Sequence, residues 1–599
     1  MEVKLRNEIS DEFKWNLKDL YANSDEFEKD FNIVSESISK LKDFEKLDIS
    51  LPNIFKELYD LLMDNSKRFR RLNDYASRYY DQEQNNEDAD ILNERLSNLS
   101  TELGLATSFL DNTIVNFSNE QIDRLLSDNT IKDYHICIKE KLRSKSHILS
   151  KVENELLCQL SDSIYTPNDV YTTFKNTEMK YDNITKPNGE IVYVDDQTFR
   201  ELRQDDNREV RKLAFDSFFG IFNNYKNTYS KLMFKYIKGI SSINKIEHYD
   251  SSLESALFDD NIPVNIYNGL VENIHKNLDS YHEYLSLRKN IMGINDMNYY
   301  DLYNSIVKEI DDKYSYDEAK DLVIKSTSIL GEDYTKIMND ALTKNWIDVY
   351  PNKYKDTGAY MSGGSYDVHP YILMNYMDDF NSVSTLSHEL GHLAHSVYSN
   401  TNQPYVTSSY ATFIAEIAST TNEILLIDYI MKHTDNKDLK IFLLNQYIEN
   451  FRTTVFRQTM FGEFEKFMYD TVEKGETLTS SILNNEYYNL LKTYHGVDKN
   501  VMNIDETYSN EWMYVPHFYY NFYVYQYATS YISSVIIATK IINGDVEQLN
   551  KFKELLKSGC SDYPVELLKK AGVDLTDENS YKIAFDSFKE NIQQLKKLL

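Results

Sequence analysis

Residues that end helices and form tight turns are scarce in this chain. Its 599 residues include only 17 glycines and 9 prolines, and an all-β protein of this length would need many more turn residues. Apolar residues instead recur at helical spacing, for example in the stripe from Leu92 to Leu110, and packing of one helix face explains such a stripe. The sequence therefore predicts a mainly α-helical fold.

One interruption of the helical pattern lies about a third of the way along the chain. Pro187-Asn188-Gly189 is a turn signal, and the following segment, Ile191 to Val194, favours a strand. This predicts a small hairpin between Tyr181 and Val194, at a junction between lobes. Because the chain is longer than one core needs, we expect a helical N-terminal lobe over residues 1–197 and a second lobe over residues 198–599.

A second interruption runs from Gly358 to Met374. It contains the adjacent glycines Gly363 and Gly364 and the apolar run Tyr371 to Met374. Glycines beside a β-prone run predict a strand or loop that another backbone can approach closely.

Charge and apolar content exclude some classes of partner. The formal net charge is −30, and a surface this acidic repels phosphate backbones, so we expect no nucleic acid partner. No apolar stretch approaches the roughly 18 residues that a membrane span requires, and no apolar signal core follows the charged N-terminus. We expect no membrane association and no export.

The cysteines indicate the compartment. Only Cys137, Cys158 and Cys560 occur, and none forms a C-x-x-C pair. Neither a disulfide framework nor a thiolate metal cluster is predicted from this pattern. We therefore expect a reducing environment, the cytoplasm.

The segment from Ser387 to His395 contains the pattern H-E-x-x-H, formed by His388, Glu389 and His392. Residues four apart on a helix lie one turn apart on nearly the same face, so both imidazoles can reach one metal ion while Glu389 flanks that face. Zinc held in this way lowers the pKa of bound water to about 7, and a neighbouring carboxylate can accept the proton. We predict that His388 and His392 bind one zinc ion per chain and that Glu389 is the catalytic base.

The residues around this motif favour a helix. Asn381, Ser382 or Ser384 could cap its start, and we expect it to end near Tyr398. Gly391 inside the helix costs about 1 kcal/mol relative to alanine. Glycine inside a helix is explained if its small size is needed, so we expect something to pass close to the metal face at Gly391.

His395 is one of two candidates for a third metal ligand. It lies seven residues after His388, close to two turns, and so shares the helix face. The two residues are, however, about 10 Å apart along the axis at about 1.5 Å per residue. That separation is too long for both to reach one metal ion at about 2.1 Å.

Glu416 is the other candidate, and it comes from a separate helix that the pattern predicts between Ala411 and Tyr429. If the two helices form an antiparallel pair, Glu416 and His392 lie at a similar distance from the turn, roughly 9 Å. We therefore predict Glu416 as the third ligand. Glu423 shares its face, and it either hydrogen-bonds a ligand imidazole or is an exposed helix carboxylate.

Tyrosines cluster between Tyr514 and Tyr527. Six occur in these 14 positions, where the average of the chain would give roughly one. Pro516 suits the first turn of a helix that carries this run. Phenol and imidazole groups can donate hydrogen bonds to the oxyanion that forms on an attacked carbonyl, whereas packing in the core is the alternative for each tyrosine. The candidate catalytic set is His517, Tyr520, Tyr523 and Tyr527.

Three motifs in this order resemble oligoendopeptidase F, a bacterial relative of thimet oligopeptidase. They are His388 to His392, Ala415 to Glu423, and His517 to Thr529. The similarity extends over nearly the whole chain, including Trp15-Asn16-Leu17. H-E-x-x-H alone is shared by many zinc peptidases, but the three motifs together are specific.

The resemblance implies a mainly α, two-lobed metallopeptidase that encloses a deep channel, with a small β element near the active site. It implies a zinc-dependent endopeptidase that hydrolyses internal bonds of short oligopeptides, with residues 198–599 as the catalytic lobe. Glu416 would complete the zinc site, His517 and nearby tyrosines would steady the tetrahedral intermediate, and Gly358 to Met374 would pair with the substrate backbone. The spacing in Tyr519 to Tyr527 differs from the thimet branch, so the role of each tyrosine stays open.

The sequence has no G-x-S-x-G, P-loop or G-x-G-x-x-G pattern, which argues against other classes of enzyme. Two alternatives to the endopeptidase remain. A non-catalytic helical binding protein could retain the motif, although the intact Glu389 argues against it. An exopeptidase with the same chemistry would need a fixed cation for the terminal carboxylate of its substrate.

Overall fold

The computed structural model of the chain describes residues 3–307 and 313–599. Helices account for most of the described residues, which confirms the predicted mainly α fold. In chain order the α-helices are α1 (Ser24–Asp43), α2 (Pro52–Asp81), α3 (Glu87–Thr107), α4 (Phe109–Val115), α5 (Asn119–Ser127), α6 (His135–Arg143), α7 (Lys151–Thr173), α8 (Asp196–Leu202), α9 (Arg208–Ile221), α10 (Lys226–Ile246), α11 (Ser252–Phe258), α12 (Val264–Ile291), α13 (Tyr316–Thr327), α14 (Glu332–Thr343), α15 (Phe380–Asn402), α16 (Thr412–His433), α17 (Lys437–Phe451), α18 (Arg457–Glu473), α19 (Ser480–Tyr494), α20 (Tyr525–Ile542), α21 (Val546–Lys557), α22 (Pro564–Lys570) and α23 (Glu578–Leu598).

The stripe of apolar residues from Leu92 to Leu110 lies on α3 and α4, which are separated at Ser108. Leu96, Leu99 and Ala106 are buried. Packing therefore accounts for the stripe, although two helices carry it.

The predicted hairpin is present. Strands β1 (Asn183–Thr185) and β2 (Ile191–Tyr193) pair antiparallel, with Asn183 opposite Tyr193. The turn between them contains Gly189 at a φ of 88°, a conformation that glycine adopts without a steric penalty. This is why the Pro-Asn-Gly signal correctly located the turn.

A three-stranded sheet forms in the second segment that interrupts the helical pattern. Strands β3 (Ile347–Asp348), β4 (Tyr360–Ser362) and β5 (Tyr371–Leu373) are ordered β3-β5-β4, with β5 parallel to β3 and antiparallel to β4. Tyr371 and Leu373 join the hydrophobic core formed by the N-terminal helices. The strand predicted between Gly358 and Met374 is thus confirmed, and β4 is an edge strand of this sheet.

Side chains, not another backbone, lie against the adjacent glycines that follow β4. A Cβ on Gly363 would lie 2.4 Å from Ser396 Oγ on α15, and one on Gly364 would lie 2.9 Å from the Asp74 carboxylate on α2. Ser365 Oγ donates to Asp74 Oδ2 at 2.6 Å. At the glycine pair the close neighbours are therefore two helix side chains, whereas the backbone that approaches this segment is that of β3, which pairs with β5.

The described chain divides into two compact units, each assembled from three separate segments. Unit 1 comprises residues 1–148, 312–433 and 537–573, and unit 2 comprises residues 149–311, 434–536 and 574–599. The expected boundary between lobes at residues 197 and 198 stays a prediction.

The start of α15 differs from the prediction. Its N-cap is Asp379, whose side chain accepts a hydrogen bond from Ser382 N at 2.7 Å. Ser382 Oγ instead accepts from Met377 N at 3.0 Å. The predicted caps Asn381, Ser382 and Ser384 are wrong because these residues already lie inside the helix, which continues to Asn402 instead of ending at Tyr398.

Helices α15 and α16 approach most closely at Gly391. A Cβ there would lie 2.5 Å from Ser419 Cα, 2.7 Å from Ala418 O and 2.8 Å from Ser419 N. These are backbone atoms, which cannot move aside as a flexible side chain can. The expectation that something passes close to Gly391 is correct, and what passes is the backbone of α16.

The last segment of unit 1 is tied to the end of α15. Gln403 Nε2 donates to Lys557 O at 2.8 Å, and Cys560 N donates to Thr407 O at 3.0 Å. The C-terminal end of α15 is thus held by a hydrogen bond to Lys557, which lies about 150 positions later in the chain.

We expect Gly391→Ala to destabilise the protein, because the added methyl group must push the α16 backbone away. Overpacking of this kind costs about 1–3 kcal/mol. The matched control is Gly104→Ala on α3, where nothing lies within 4 Å of the added Cβ. That change should raise stability by about 0.5–1 kcal/mol. Urea unfolding of both variants tests the contrast, and equal shifts in the same direction would contradict it.

Candidate metal centre and active site

Helix α15 brings the two predicted imidazole ligands together. The Nε2 atoms of His388 and His392 lie 3.2 Å apart, and the ring centroids are 4.8 Å apart. One helical turn separates the two residues, so their side chains project from nearly the same face. Both rings are partly buried.

Helix α16 supplies a carboxylate to the same point. Glu416 Oε2 lies 3.4 Å from His388 Nε2 and 3.4 Å from His392 Nε2. Tetrahedral coordination at about 2.1 Å separates neighbouring ligand atoms by about 3.4 Å. Among the described residues, His388, His392 and Glu416 form a group that could hold a metal ion, and its dimensions fit such an ion.

Hydrogen bonding fixes the tautomer of His388. Its Nδ1 lies 2.6 Å from Glu423 Oε1, and because a carboxylate oxygen accepts, Nδ1 must carry the proton. Nε2 is then the nitrogen that faces Glu416 and His392, and it is the one available to a metal ion. Of the two interpretations of Glu423, the hydrogen bond to a ligand imidazole is the one that the structure contains.

The charge of Glu416 also suits a ligand. Burial alone would raise the pKa of its carboxyl group, but the hydrogen bonds and charges of His388 and His392 outweigh burial and lower that pKa well below its usual range. The group is therefore a carboxylate at neutral pH. Ser419 Oγ donates to Glu416 Oε2 at 3.0 Å and restrains its orientation.

Glu389 lies beside this group and is only 7% exposed. Burial raises the pKa of its carboxyl group, against the lowering effect of His388 and His392. A carboxylate with a raised pKa accepts a proton more readily near neutral pH. The arrangement thus places a poised proton acceptor next to the three candidate ligands.

His395 lies outside the ligand group. Its ring is fully buried and stacks on Tyr410 with centroids 3.7 Å apart and planes 8° from parallel. Neither ring nitrogen has a hydrogen-bond partner among the described residues, and burial lowers the pKa of His395 to about 3. The side chain is therefore a buried, neutral ring that packs against Tyr410.

The tyrosine-rich segment does not form one helix. A 3-10 turn covers Pro516–Tyr519 and α20 begins only at Tyr525, while Asn521 and Phe522 adopt φ values of 48° and 59°. The helix predicted to start at Pro516 is therefore wrong. Two residues in the left-handed region are incompatible with a continuous α-helix.

The four candidate residues of this segment nevertheless lie together in unit 2. The His517 ring is 5.3 Å from Tyr520 and 6.4 Å from Tyr527, and Tyr523 is 6.4 Å from Tyr520 and 5.3 Å from Tyr527. Tyr520 is 52% exposed. Burial lowers the pKa of His517, so its neutral ring keeps one N–H group to donate. Their catalytic role stays a prediction.

Three residues that support the site were missed from the sequence. Asn422 Nδ2 donates to Ser387 O at 3.1 Å, and Tyr334 OH donates to Asn422 Oδ1 at 2.8 Å, which joins α14, α16 and α15. Ser419 is the third. Ser419 could have been found, since it lies three residues after Glu416 and so shares its helix face. No sequence signal points to Tyr334.

Within the described residues, no helix is both long enough and apolar enough to cross a membrane.

Most of this chain is similar to known peptidases. Residues 201–587 match peptidase family M3, and residues 114–181 match the family described as oligopeptidase F. Oligopeptidase PepF of Bacillus subtilis is 36% identical over 598 residues, which cover 99% of this chain and 88% of the relative.

Solved structures agree with these matches. Oligoendopeptidase-F from Enterococcus faecium has a TM-score of 0.72 and 29% identity, over 96% of this chain and 99% of that one. A protein from Chlamydophila abortus has a TM-score of 0.94 and 30% identity, and the match covers all of both chains. With a family match over more than half of its length, this chain belongs to peptidase family M3, in the oligoendopeptidase F group, and is a metallopeptidase.

Proposed function

We propose that the chain is a zinc-dependent endopeptidase that hydrolyses internal bonds of short peptides. Membership of the family supports the hydrolysis of peptide bonds. The zinc ion, the internal position of the cut and the roles of individual residues are the parts that we propose here.

The triangle of His388, His392 and Glu416 is the observation that carries the proposal. Its sides of 3.2, 3.4 and 3.4 Å suit one small tetrahedral ion with a fourth position open. Two imidazoles and one carboxylate are a donor set that catalytic zinc sites use. The second nitrogen of His388 is already held by Glu423, as is usual for an imidazole that binds a metal.

Zinc, when bound, would act as a Lewis acid and acidify water in its open position. Glu389 would take the proton of the attacking water and deliver it to the leaving amine, since its buried carboxylate has a raised pKa. His517, Tyr520, Tyr523 and Tyr527 would donate hydrogen bonds to the developing oxyanion. The support for this last role is that the four donors form one cluster.

Substrate binding would use the edge strand β4. An edge strand presents backbone N–H and C=O groups that can pair with an extended peptide of any sequence. β4 belongs to unit 1, and Gly363 directly after it lies against Ser396 of α15, the helix that carries His392. We propose that oligopeptides bind in this way. The expected absence of nucleic acid partners stays a prediction.

We also propose a cytoplasmic location. Cys137, Cys158 and Cys560 are all free thiols, and free cysteines without disulfides are usual in a reducing compartment.

Glu389→Gln should retain zinc, because the amide leaves both imidazoles in place, yet lower kcat at least ~10²-fold, because the proton acceptor is lost. Peptide hydrolysis and bound metal are measured on the same purified sample. Glu332→Gln, an exposed glutamate in the first turn of α14, is the matched control and should keep full activity. Near-normal turnover of Glu389→Gln would refute the assigned role.

Two further variants decide the third ligand. Glu416→Ala should weaken zinc binding at least about 100-fold. Loss of a residue that only hydrogen-bonds a ligand already lowers metal affinity about 10–100-fold, and loss of a direct ligand should lower it no less. His395→Ala should keep zinc, because His395 lies outside the ligand triangle. Metal content and competition with a chelator are the measurements, with circular dichroism to check folding. Zinc lost from His395→Ala and kept by Glu416→Ala would reverse the assignment.

A mixed peptide library tests the position of the cut. We expect mass spectrometry to show products from internal cleavage of short peptides, no digestion of a stable folded protein, and no products after chelation until zinc is restored. Single residues released in sequence from one end would favour an exopeptidase. Products that persist in the chelator would count against metal dependence.

A further inference from the structure

A buried glutamate in unit 2 has no part in the mechanism described so far. Glu465 lies on α18 and is 0% exposed. Its Oε1 accepts a hydrogen bond from the backbone N–H of Phe522 at 2.7 Å, while Oε2 has no hydrogen-bond partner among the described residues. Burial raises the pKa of this carboxyl group to about 8, against the lowering effect of the Phe522 N–H.

The N–H group that Glu465 accepts belongs to a strained turn. Asn521 and Phe522 adopt φ values of 48° and 59°. For a bulky residue such as Phe522 this left-handed conformation has a steric cost. A turn of this kind persists only where the surrounding structure holds it, and the carboxyl group of Glu465 is one of the groups that hold it.

Other buried side chains anchor the same segment. Phe522 is 2% exposed, and its ring packs against Tyr469 of α18 with centroids 4.7 Å apart. Before the turn, Tyr236 OH on α10 donates to Tyr519 O at 2.7 Å. The backbone is therefore bonded to a buried side chain on each side of the exposed Tyr520.

The turn lies inside the cluster of candidate donors. His517 and Tyr520 precede it and Tyr523 follows it, and the Tyr520 ring is 5.3 Å from His517 and 6.4 Å from Tyr523. The distance across the turn depends on the backbone conformation at positions 521 and 522, because the chain passes through them between the two tyrosines. Donors that act on a transition state must be held within about 0.5 Å of the productive geometry.

A structural role alone does not explain the carboxyl group. No basic side chain among the described residues forms an ion pair with Glu465, and burial disfavours its ionised form. A buried carboxyl group with an unpaired oxygen is unfavourable for folding, and an apolar side chain of similar size would pack as well or better. An apolar side chain could not, however, accept the Phe522 N–H.

We propose that Glu465 is a positioning residue of this enzyme. By accepting the Phe522 N–H it fixes the turn, and the turn sets where Tyr520 and Tyr523 present their hydroxyl groups. Glu465 itself does not touch the peptide. The inference rests on the proposed function, in which these hydroxyl groups donate to the developing oxyanion.

Two substitutions separate the acceptor from the rest of the side chain. Glu465→Met has a similar length but no acceptor for the Phe522 N–H, so the turn should relax. The kcat of the metal-loaded, full-length enzyme should then fall about 10–100-fold, as when a catalytic group is misplaced by about 1 Å, while KM changes little. Glu465→Gln is the matched variant, because its amide oxygen can still accept the N–H, and it should keep most of the activity.

Three further measurements separate positioning from folding. Bound zinc should be unchanged in Glu465→Met, because the candidate ligands belong to unit 1 and Glu465 belongs to unit 2. The unfolding temperature should change little, since an unfavourable buried carboxyl group is removed together with one hydrogen bond. Hydrogen–deuterium exchange of the Phe522 amide, followed by mass spectrometry of overlapping peptides, should be at least about 10-fold faster in Glu465→Met and unchanged in Glu465→Gln.

His517→Ala and Tyr523→Phe distinguish failure of this inference from failure of the proposed function. Full activity of both variants would refute the donor role and, with it, this inference. Reduced activity of both, together with full activity of Glu465→Met, would overturn the positioning role alone. An equal loss of kcat in Glu465→Met and Glu465→Gln would also overturn it, because the acceptor would then not be the required property, and so would a loss of zinc or a lower unfolding temperature in Glu465→Met.

Discussion

The contact between α15 and α16 at Gly391 and Ser419 determines where the three candidate ligands lie. Gly391 precedes His392 by one residue, and Ser419 follows Glu416 by about one turn, so the closest approach of the two backbones is next to the ligand group. Metal–ligand distances tolerate changes of only about 0.2 Å. A side chain at position 391 would separate the helices by more than that, and Glu416 would move away from both imidazoles.

The carboxylates around the group divide into two kinds. Glu416 and Glu423 each contact an imidazole, and together they supply two negative charges to balance a divalent cation. Glu389 is buried beside them, and burial raises the pKa of its carboxyl group. The imidazoles therefore favour the ionised form of Glu416, while Glu389 is in an environment that favours accepting a proton. The same helix pair thus positions both the candidate ligands and the proposed acid-base group.

Much of this site could be predicted because it depends on helix periodicity. The spacing of His388 and His392, and the position of Glu416 on a second helix, follow from 3.6 residues per turn. The ends of helices were harder, since Asp379 and several nearby residues are all good caps and local sequence does not choose among them. The helix expected at Pro516 failed because positive φ values at Asn521 and Phe522 depend on tertiary packing. Contacts such as Tyr334 with Asn422 join residues that are distant in sequence, and no periodicity reveals them.

The division of each unit into three segments has a consequence for synthesis on the ribosome. Chains of this kind emerge at about 5–20 residues per second, and domains generally fold as units. Neither unit contains all of its residues until its last segment, 537–573 or 574–599, has been made. The bonds from Gln403 to Lys557 and from Cys560 to Thr407 therefore form long after α15 has emerged. The candidate ligands are all synthesised well before the surroundings of α15 and α16 are complete, so the nascent chain must keep this helix pair from aggregating until residues 537–573 arrive.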